Sequence, residues 1–342
     1  MFFQKKSYEV ICVGSVSKDI FFPTDEGVII ETPEDIVSKE KIAFELGGKY
    51  RVEDRYEAVG GVAANVAHGL TRLGHRAGCY SKRGYDEIGK WIVNEFKREK
   101  VPTELLFAEK NVKTDLSAII VLAHNGERII FHNRDANERL EIIDEKFTNA
   151  EWIFLSALNG DWQKNLRAML VLKERYGFSL AFNPGQHNIK EDASCVLEAV
   201  AETDILFLNK DEAIELILLT AERHSREQLD DEIFLLQALS RAGAKRIGMT
   251  DGKRGAWGFD GTGCWFSPIH TVRSVVDSTG AGDAFGSGFF AACLEGRSIA
   301  LALSYGIANS GSVIGAYGAI AGLLSKDEMT SIVGKITPER LQ

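Results

Sequence analysis

Asp277-Ser278-Thr279-Gly280-Ala281-Gly282-Asp283 runs straight into Ala284, Phe285, Phe289 and Phe290, the apolar face of a helix. Two glycines therefore stand where a helix begins. Glycine lets the chain turn tightly and expose consecutive N–H groups, and a helix N-terminus adds partial positive charge. Gly280, Ala281 and Gly282 thus make a candidate anion site. The carboxylate in the first turn has two readings: Asp283 caps the helix, or it is a general base that takes the proton of a hydroxyl held in line with a transferring phosphoryl group. The motif alone leaves both open.

The surrounding chain alternates strands with helices. Residues 8–14 form a β-branched run ending in glycine, and residues 62–73 have helical spacing closed by Gly74. The same rhythm predicts strands at 76–81, 152–156, 180–183, 204–208 and 246–250, with helices at 86–99, 162–176, from Lys210, and at 226–241. Such alternation gives parallel strands covered by helices, an α/β fold. After a hairpin at 257–266 turning at Asp260-Gly261, residues 281–294 and 298–314 are rich in Gly, Ala and Ser and are expected to be closely packed helices.

Two segments break the rhythm. Residues 19–59 are polar and lack helical periodicity, and residues 113–133 read as a hairpin turning at Asn125-Gly126. Both leave and rejoin the core, so they are expected to build one small β-sheet beside it, acting as a lid. The expected division is a core of residues 1–18, 60–110 and 135–342 and a discontinuous lid of residues 19–59 and 111–134.

Composition narrows the function. With 342 residues, 45% hydrophobic and 26% charged, the chain falls in the ordinary globular range. No run of about 20 apolar residues is present to span a bilayer, and Met-Phe-Phe-Gln-Lys-Lys-Ser leads into a strand, so a cytoplasmic protein is expected. The net charge of −9 argues against bulk attraction to nucleic acid or anionic membrane. Five cysteines, odd in number and widely spaced, do not fit a disulfide framework or a zinc site. The P-loop pattern is absent, and Gly14-Ser15-Val16-Ser17-Lys18-Asp19 lacks the later glycines of the dinucleotide fingerprint.

Three further motifs accompany the opening one. Gly60-Gly61-Val62-Ala63-Ala64-Asn65 begins a helix with a double glycine and an amide. Asn209-Lys210-Asp211-Glu212 follows a strand, at the end of the sheet where α/β folds bind ligands, and its spacing equally fits a capping box. Thr250-Asp251-Gly252-Lys253-Arg254-Gly255 offers a hydroxyl, backbone groups and two cations suited to phosphates, or a plain turn.

In this order the motifs resemble the ribokinase-like, or PfkB, family of carbohydrate and nucleoside kinases. The resemblance runs from Gly14 to about Gly322. It implies a mainly parallel central sheet flanked by helices, with a small β-sheet lid that also serves as a homodimer interface in many members. It implies Asp283 as base and the amides of Gly280, Ala281 and Gly282 as the anion hole. Asp19, Gly60, Gly61 and Asn65 would meet the acceptor's hydroxyls. Thr250, Gly252 and Gly255 would lie at the phosphates of ATP, Asn209 and Glu212 would position magnesium and phosphate through water, and Asn309 would lie in the helix beside the adenine. Asp277 and Thr279 match a monovalent-cation site, usually for potassium. Arg134, in Arg134-Asp135-Ala136-Asn137, would face an acidic or phosphorylated substrate or stand solvated at the hairpin end.

The implied activity is ATP-dependent phosphorylation of a hydroxyl on a small sugar or sugar derivative, a small-molecule partner. Val62 and Ala63 stand where the family's ribose kinases carry lysine and glycine, which turns the expectation away from ribose itself. A nucleoside kinase is the alternative, with Phe44, Tyr50 and Tyr56 as candidate base-stacking rings. An alternative of another class is a non-catalytic ligand-binding regulator on the same fold.

Overall fold

Val10 and Cys12 enter one apolar core while Ile11 and Val13 enter another. A strand buried at every position on both faces belongs inside a sheet covered twice by helices. The computed structural model describes residues 8–32, 40–122, 126–220 and 224–341.

The chain begins with strands β1 (Val10–Val13), β2 (Ser17–Thr24), β3 (Val28–Glu31), β4 (Glu40–Ala43) and β5 (Tyr56–Gly60). Helix α1 (Val62–Arg72), β6 (Ala77–Gly84), α2 (Glu87–Arg98), β7 (Leu106–Glu109), β8 (Leu116–Leu122) and β9 (Arg128–Asn133) follow. Next come β10 (Trp152–Ser156), α3 (Trp162–Tyr176), β11 (Ser179–Asn183), α4 (Gln186–Ala201), β12 (Ile205–Asn209), α5 (Lys210–Leu218), α6 (Arg226–Asp230), α7 (Glu232–Arg241) and β13 (Arg246–Thr250). The chain closes with β14 (Ala256–Phe259), β15 (Cys264–Ser267), α8 (Ala281–Leu294), α9 (Ile299–Val313), α10 (Lys326–Val333) and β16 (Glu339–Arg340).

The main sheet has the order β16-β15-β14-β13-β12-β11-β10-β1-β6-β7. Strands from β13 to β7 run parallel, and β14 to β16 form an antiparallel edge. Helices α1, α8 and α9 cover one face; α3, α4, α5 and α7 cover the other. The glycines of α8 and α9 do what their composition suggests. A Cβ on Gly288 would lie 2.5 Å from the Tyr305 carbonyl oxygen, and one on Gly306 would lie 2.6 Å from the Phe285 ring. Phe289 and Phe290 pack on Phe207 at ring-centroid distances of 5.5 and 6.3 Å, fixing α8 to the sheet. Truncating such a buried ring to alanine costs about 3–5 kcal/mol.

A second, four-stranded sheet has the order β5-β2-β8-β9, with β2 and β8 parallel and the other pairs antiparallel. It starts at Ser17, two residues before the expected boundary. Strands from both of the expected segments build this sheet, while β3 and β4 of the first segment pair with each other as a separate two-stranded sheet. Asn137 pins the crossings between the sheets: its amide nitrogen donates to the Val16 carbonyl (2.8 Å) and to Asp115 Oδ2 (2.7 Å), and its Oδ1 accepts from Ser81 Oγ (3.0 Å). Asn125 of the expected hairpin turn lies outside the described residues, whereas Gly126 has φ 73° as a turn glycine should.

The expected single helix at 226–241 is two helices, broken at Asp231, which has φ −85° and ψ 112° and caps α7 by accepting from the Ile233 N–H. Helix α4 and strand β7 were not foreseen in the sequence. All five cysteines are buried and free. Among the described residues no helix is long and apolar enough to cross a membrane.

Candidate active site

Gly280, at φ 76°, is the N-cap of α8, and no side chain caps this helix. The capping reading of Asp283 therefore falls. Its Oδ2 instead accepts from Asn65 Nδ2 of α1 at 2.7 Å. Burial pushes the Asp283 carboxyl up from 3.8 to about 6; the Asn65 hydrogen bond opposes this, the Asp19 charge adds to it, and the Arg128 charge opposes it. A carboxylate poised near neutrality is suited to taking a proton. Asn65 is 6% exposed, and its other amide atom, Oδ1, is buried without a partner among the described residues. A buried acceptor left empty is costly unless a ligand fills it.

Asp19 comes from β2, is 7% exposed and accepts from Ser17 Oγ at 2.9 Å. Burial raises its carboxyl, Ser117 and Ser17 oppose that through hydrogen bonds, and the Asp277 charge adds to it. Gly60 makes room for this carboxylate: a Cβ there would lie 2.0 Å from Asp19 Oδ2. Gly61, at φ 95°, would place a Cβ 2.4 Å from the Ser15 carbonyl oxygen. The first glycine pair thus lets the chain pack tightly against Asp19 and the Ser15 backbone.

At the other glycine pair the space is open. A Cβ on Gly282 would meet nothing within 4 Å. Ala281 N–H bends back to the Ser278 carbonyl at a long 3.3 Å, while the amides of Gly282 and Asp283, in the first helical turn, have no intrahelical acceptor. Two cavities meet here. The larger, about 480 Å³, is lined by Thr250, Gly252, Lys253 and Gly255 and by the apolar side chains of Ile269, Val275, Ile307 and Ile314. The smaller, about 260 Å³, is lined by Asp283, Asn183, Gly185, Asn209 and Glu212. Thr250, Gly282 and Phe285 line both. A long ligand with an apolar body and an anionic end would reach Asp283 through that junction.

A family model for pfkB family carbohydrate kinases matches residues 12–326. This chain belongs to that family. It is a phosphotransferase acting on hydroxyl groups and using ATP. The kinase is 27% identical over 278 residues to the ATP-dependent ribose-1-phosphate kinase of Halopiger xanaduensis, covering 80% of this chain and 86% of that protein. It is 25% identical over 331 residues to the nucleoside kinase of Methanocaldococcus jannaschii, covering 96% and 98%. The structure of ribokinase from Giardia lamblia superposes with a TM-score of 0.77 at 19% identity, covering 96% of this chain and all of that one. The fold is ribokinase-like.

The remaining residues of the kinase divide into those that face the cavities and those spent elsewhere. Asn209 and Glu212 form the capping box: Asn209 Oδ1 accepts from the Glu212 N–H (2.8 Å) and Glu212 Oε2 from the Asn209 N–H (3.0 Å). They also line the cavity with Asp283, so the capping role does not remove them from it. Burial raises the Glu212 carboxyl above its usual range, against backbone hydrogen bonds from Asn209 and Gln186. No cluster of three metal-ligating side chains occurs among the described residues. Magnesium fits such a site when phosphates and water supply most of its oxygens.

Asp277 is fully buried, accepts from Thr279 N (2.9 Å), Thr279 Oγ1 (2.7 Å) and Gly318 N (3.0 Å), and so shapes the turn before α8. The placement of Asn309 beside a base needs correction. It is fully buried and does not line the larger cavity. Its amide instead bonds the Ala284 carbonyl, Ser287 Oγ and the Leu324 N–H, tying α9 to α8. The α9 residues that face the cavity are Ile307, Ser310, Gly311 and Ile314. Arg134 is exposed and donates to Asn159 Oδ1 at 2.6 Å, outside the two cavities. Tyr56 stacks on Tyr317 at 4.2 Å and Phe44 packs edge-on against Tyr50, so these rings are occupied with each other.

Sequence reasoning missed Arg128. From β9 it reaches Ser278 Oγ at 2.5 Å, directly before the glycine turn, and its Nε is buried without a partner among the described residues. Only the folding of the small sheet onto the loop before α8 brings these residues together, 150 positions apart.

Proposed function

We propose that the kinase transfers the γ-phosphate of ATP to a hydroxyl of a small sugar or sugar derivative, with Asp283 as general base. The observation that carries this reading is Asn65. It holds Asp283 with its N–H and keeps its carbonyl oxygen buried and empty, so a hydroxyl donating there would stand beside the base.

The larger cavity takes the nucleotide, its base along the apolar wall and its phosphates between Thr250, Gly252, Lys253 and Gly282. Asp283 accepts the hydroxyl proton as the oxygen bonds to phosphorus and the bond to the β-phosphate oxygen breaks, releasing ADP. The first-turn amides of α8 and the Arg128 guanidinium stabilise negative charge on the moving phosphoryl group. Magnesium, when bound, neutralises phosphate charge; Asn209 and Glu212 would hold it through water. Asp19 fixes a second hydroxyl, and Arg134, outside the two cavities, would meet an acidic or phosphorylated acceptor only by leaving Asn159. Potassium at Asp277 and Thr279 would stiffen the turn before α8.

The four-stranded sheet is the lid, and closing it excludes water. Its β9 edge exposes Ile129, Ile130 and Phe131, which supports a homodimer through this sheet. Sedimentation equilibrium checks this; a monomer at micromolar concentration would refute it.

ADP release measured over hexoses, pentoses, sugar acids, phosphosugars and nucleosides, with magnesium and with or without potassium, tests the acceptor. A sugar-class compound should give the highest kcat/KM. A nucleoside giving it would replace the sugar reading, and no stimulation by any acceptor would refute both.

A further inference from the structure

The break between α6 and α7 contains neither proline nor glycine, so local chain chemistry does not require it. Its effect is to wrap one cation. Lys210 Nζ donates to the Asp230 carbonyl (2.8 Å), Asp230 Oδ1 (3.0 Å) and Glu232 Oε1 (2.8 Å), using its three N–H donors. The Lys210 side chain is 7% exposed. The same Glu232 oxygen accepts from Arg254 Nη2 at 2.5 Å, while Arg254 Nη1 donates to Asp251 Oδ2 at 2.9 Å. One carboxylate oxygen therefore holds two cations from different elements, the first turn of α5 and the loop after β13.

Both places adjoin the site. Lys210 directly follows Asn209 at the end of β12, and Arg254 lies in the stretch after β13 whose Thr250, Gly252, Lys253 and Gly255 line the larger cavity. Asn209 and Thr250 are direct neighbours across the two parallel strands. We propose that Glu232 is a positioning residue for the phosphate end of the nucleotide, clamping the start of α5 and the loop after β13 at a fixed spacing.

The electrostatics agree. Burial pulls Lys210 down, but its bonds to Glu232 and Asp230 outweigh that and hold it above its ordinary value. Burial likewise pushes Glu232 up, and the bond to Lys210 with the charges of Lys210 and Arg254 brings it below the usual carboxylate range. Without Glu232 the two cations would repel, and the start of α5 and the loop after β13 would have to be ordered by the ligand, at a cost in affinity. Lys253, which lines the cavity, is left outside the clamp.

This clamp rests on reading the larger cavity as the nucleotide site. The test is calorimetric binding of MgATP and MgADP to the full chain, with Glu232→Gln, Arg254→Gln and the double variant. Glu232→Gln should weaken both nucleotides about tenfold, and the double variant should be no more than about twofold worse than Glu232→Gln, because Arg254 acts through Glu232. Arg254→Gln, which leaves Lys210 paired, should keep the unliganded melting temperature while losing affinity. Additive losses, or affinities within about twofold of the unaltered chain, overturn the clamp. Should Glu232→Gln fail to fold, Glu232→Asp, which keeps the charge and draws it back by one methylene, replaces it in the same cycle. If the unaltered chain binds neither nucleotide, the nucleotide reading fails and the clamp with it.

Discussion

Gly60-Gly61 and Gly280-Ala281-Gly282 both place glycines at the start of a helix, yet they are glycines for different reasons. At the first pair a side chain would strike the protein itself, at Asp19 and at the Ser15 backbone. At the second, Gly280 is needed by its φ of 76° and by Ala319, where a Cβ would approach to 2.2 Å, while Gly282 has open space in front of it. Its lack of a side chain answers to nothing in the protein. The difference separates glycines that build a site from a glycine that leaves room for what the site binds.

Gly61→Ala should break the first region outright. Positive φ and the clash with Ser15 should cost about 2–4 kcal/mol of stability, read by urea unfolding; an unchanged midpoint would refute the close approach. Arg128→Ala should leave unfolding nearly unchanged but lower turnover about 100-fold, as expected for a charge facing the moving phosphoryl group. A fall in affinity for the acceptor alone would place Arg128 elsewhere.

The raised carboxyl of Asp283 gives a stability signature of definite sign. Its folded-state value, about 6 against 3.8, means that the stability present below pH 3.8 is lost as pH rises through about 6. Asp283→Asn should therefore stabilise the ligand-free protein at pH 7–8 by about 1–2 kcal/mol, after discounting for solvent in the cleft, and the gain should vanish below pH 4. The same titration predicts that kcat/KM falls on the acid side near pH 6. The smallest effect sharpens the comparison most. Gly282→Ala, in a helix with open space, should raise stability by about 0.5–1 kcal/mol while lowering turnover, whereas loss of stability would mean that Gly282 serves the fold.

The α/β frame was legible because β1, β10 to β13 and helices α3, α5 and α7 carry periodicity and end on glycine or a cap. The glycine turn before α8 was legible because two glycines and an acid precede an apolar helical face. What stayed hidden depends on contacts distant in sequence. The break at Asp231 sets Asp230 and Glu232 on Lys210, and Arg128 meets Ser278 only through the folding of β9 onto the loop before α8. Helix α4 is weakly patterned, with much of its buried side in Ala193, Cys195 and Ala199, and it kinks at Asp192. Asn309 was assigned through resemblance, while its environment, a fully buried joint between α8 and α9, was not readable from its neighbours.

Single-turnover transfer from MgATP to the acceptor, comparing the unaltered chain with Asp283→Asn, tests the central assignment most directly. A fall of about 10³-fold or more in the transfer rate, with MgATP affinity kept within about threefold, is the predicted result. Transfer within about tenfold of the unaltered rate would show that Asp283 is not the base.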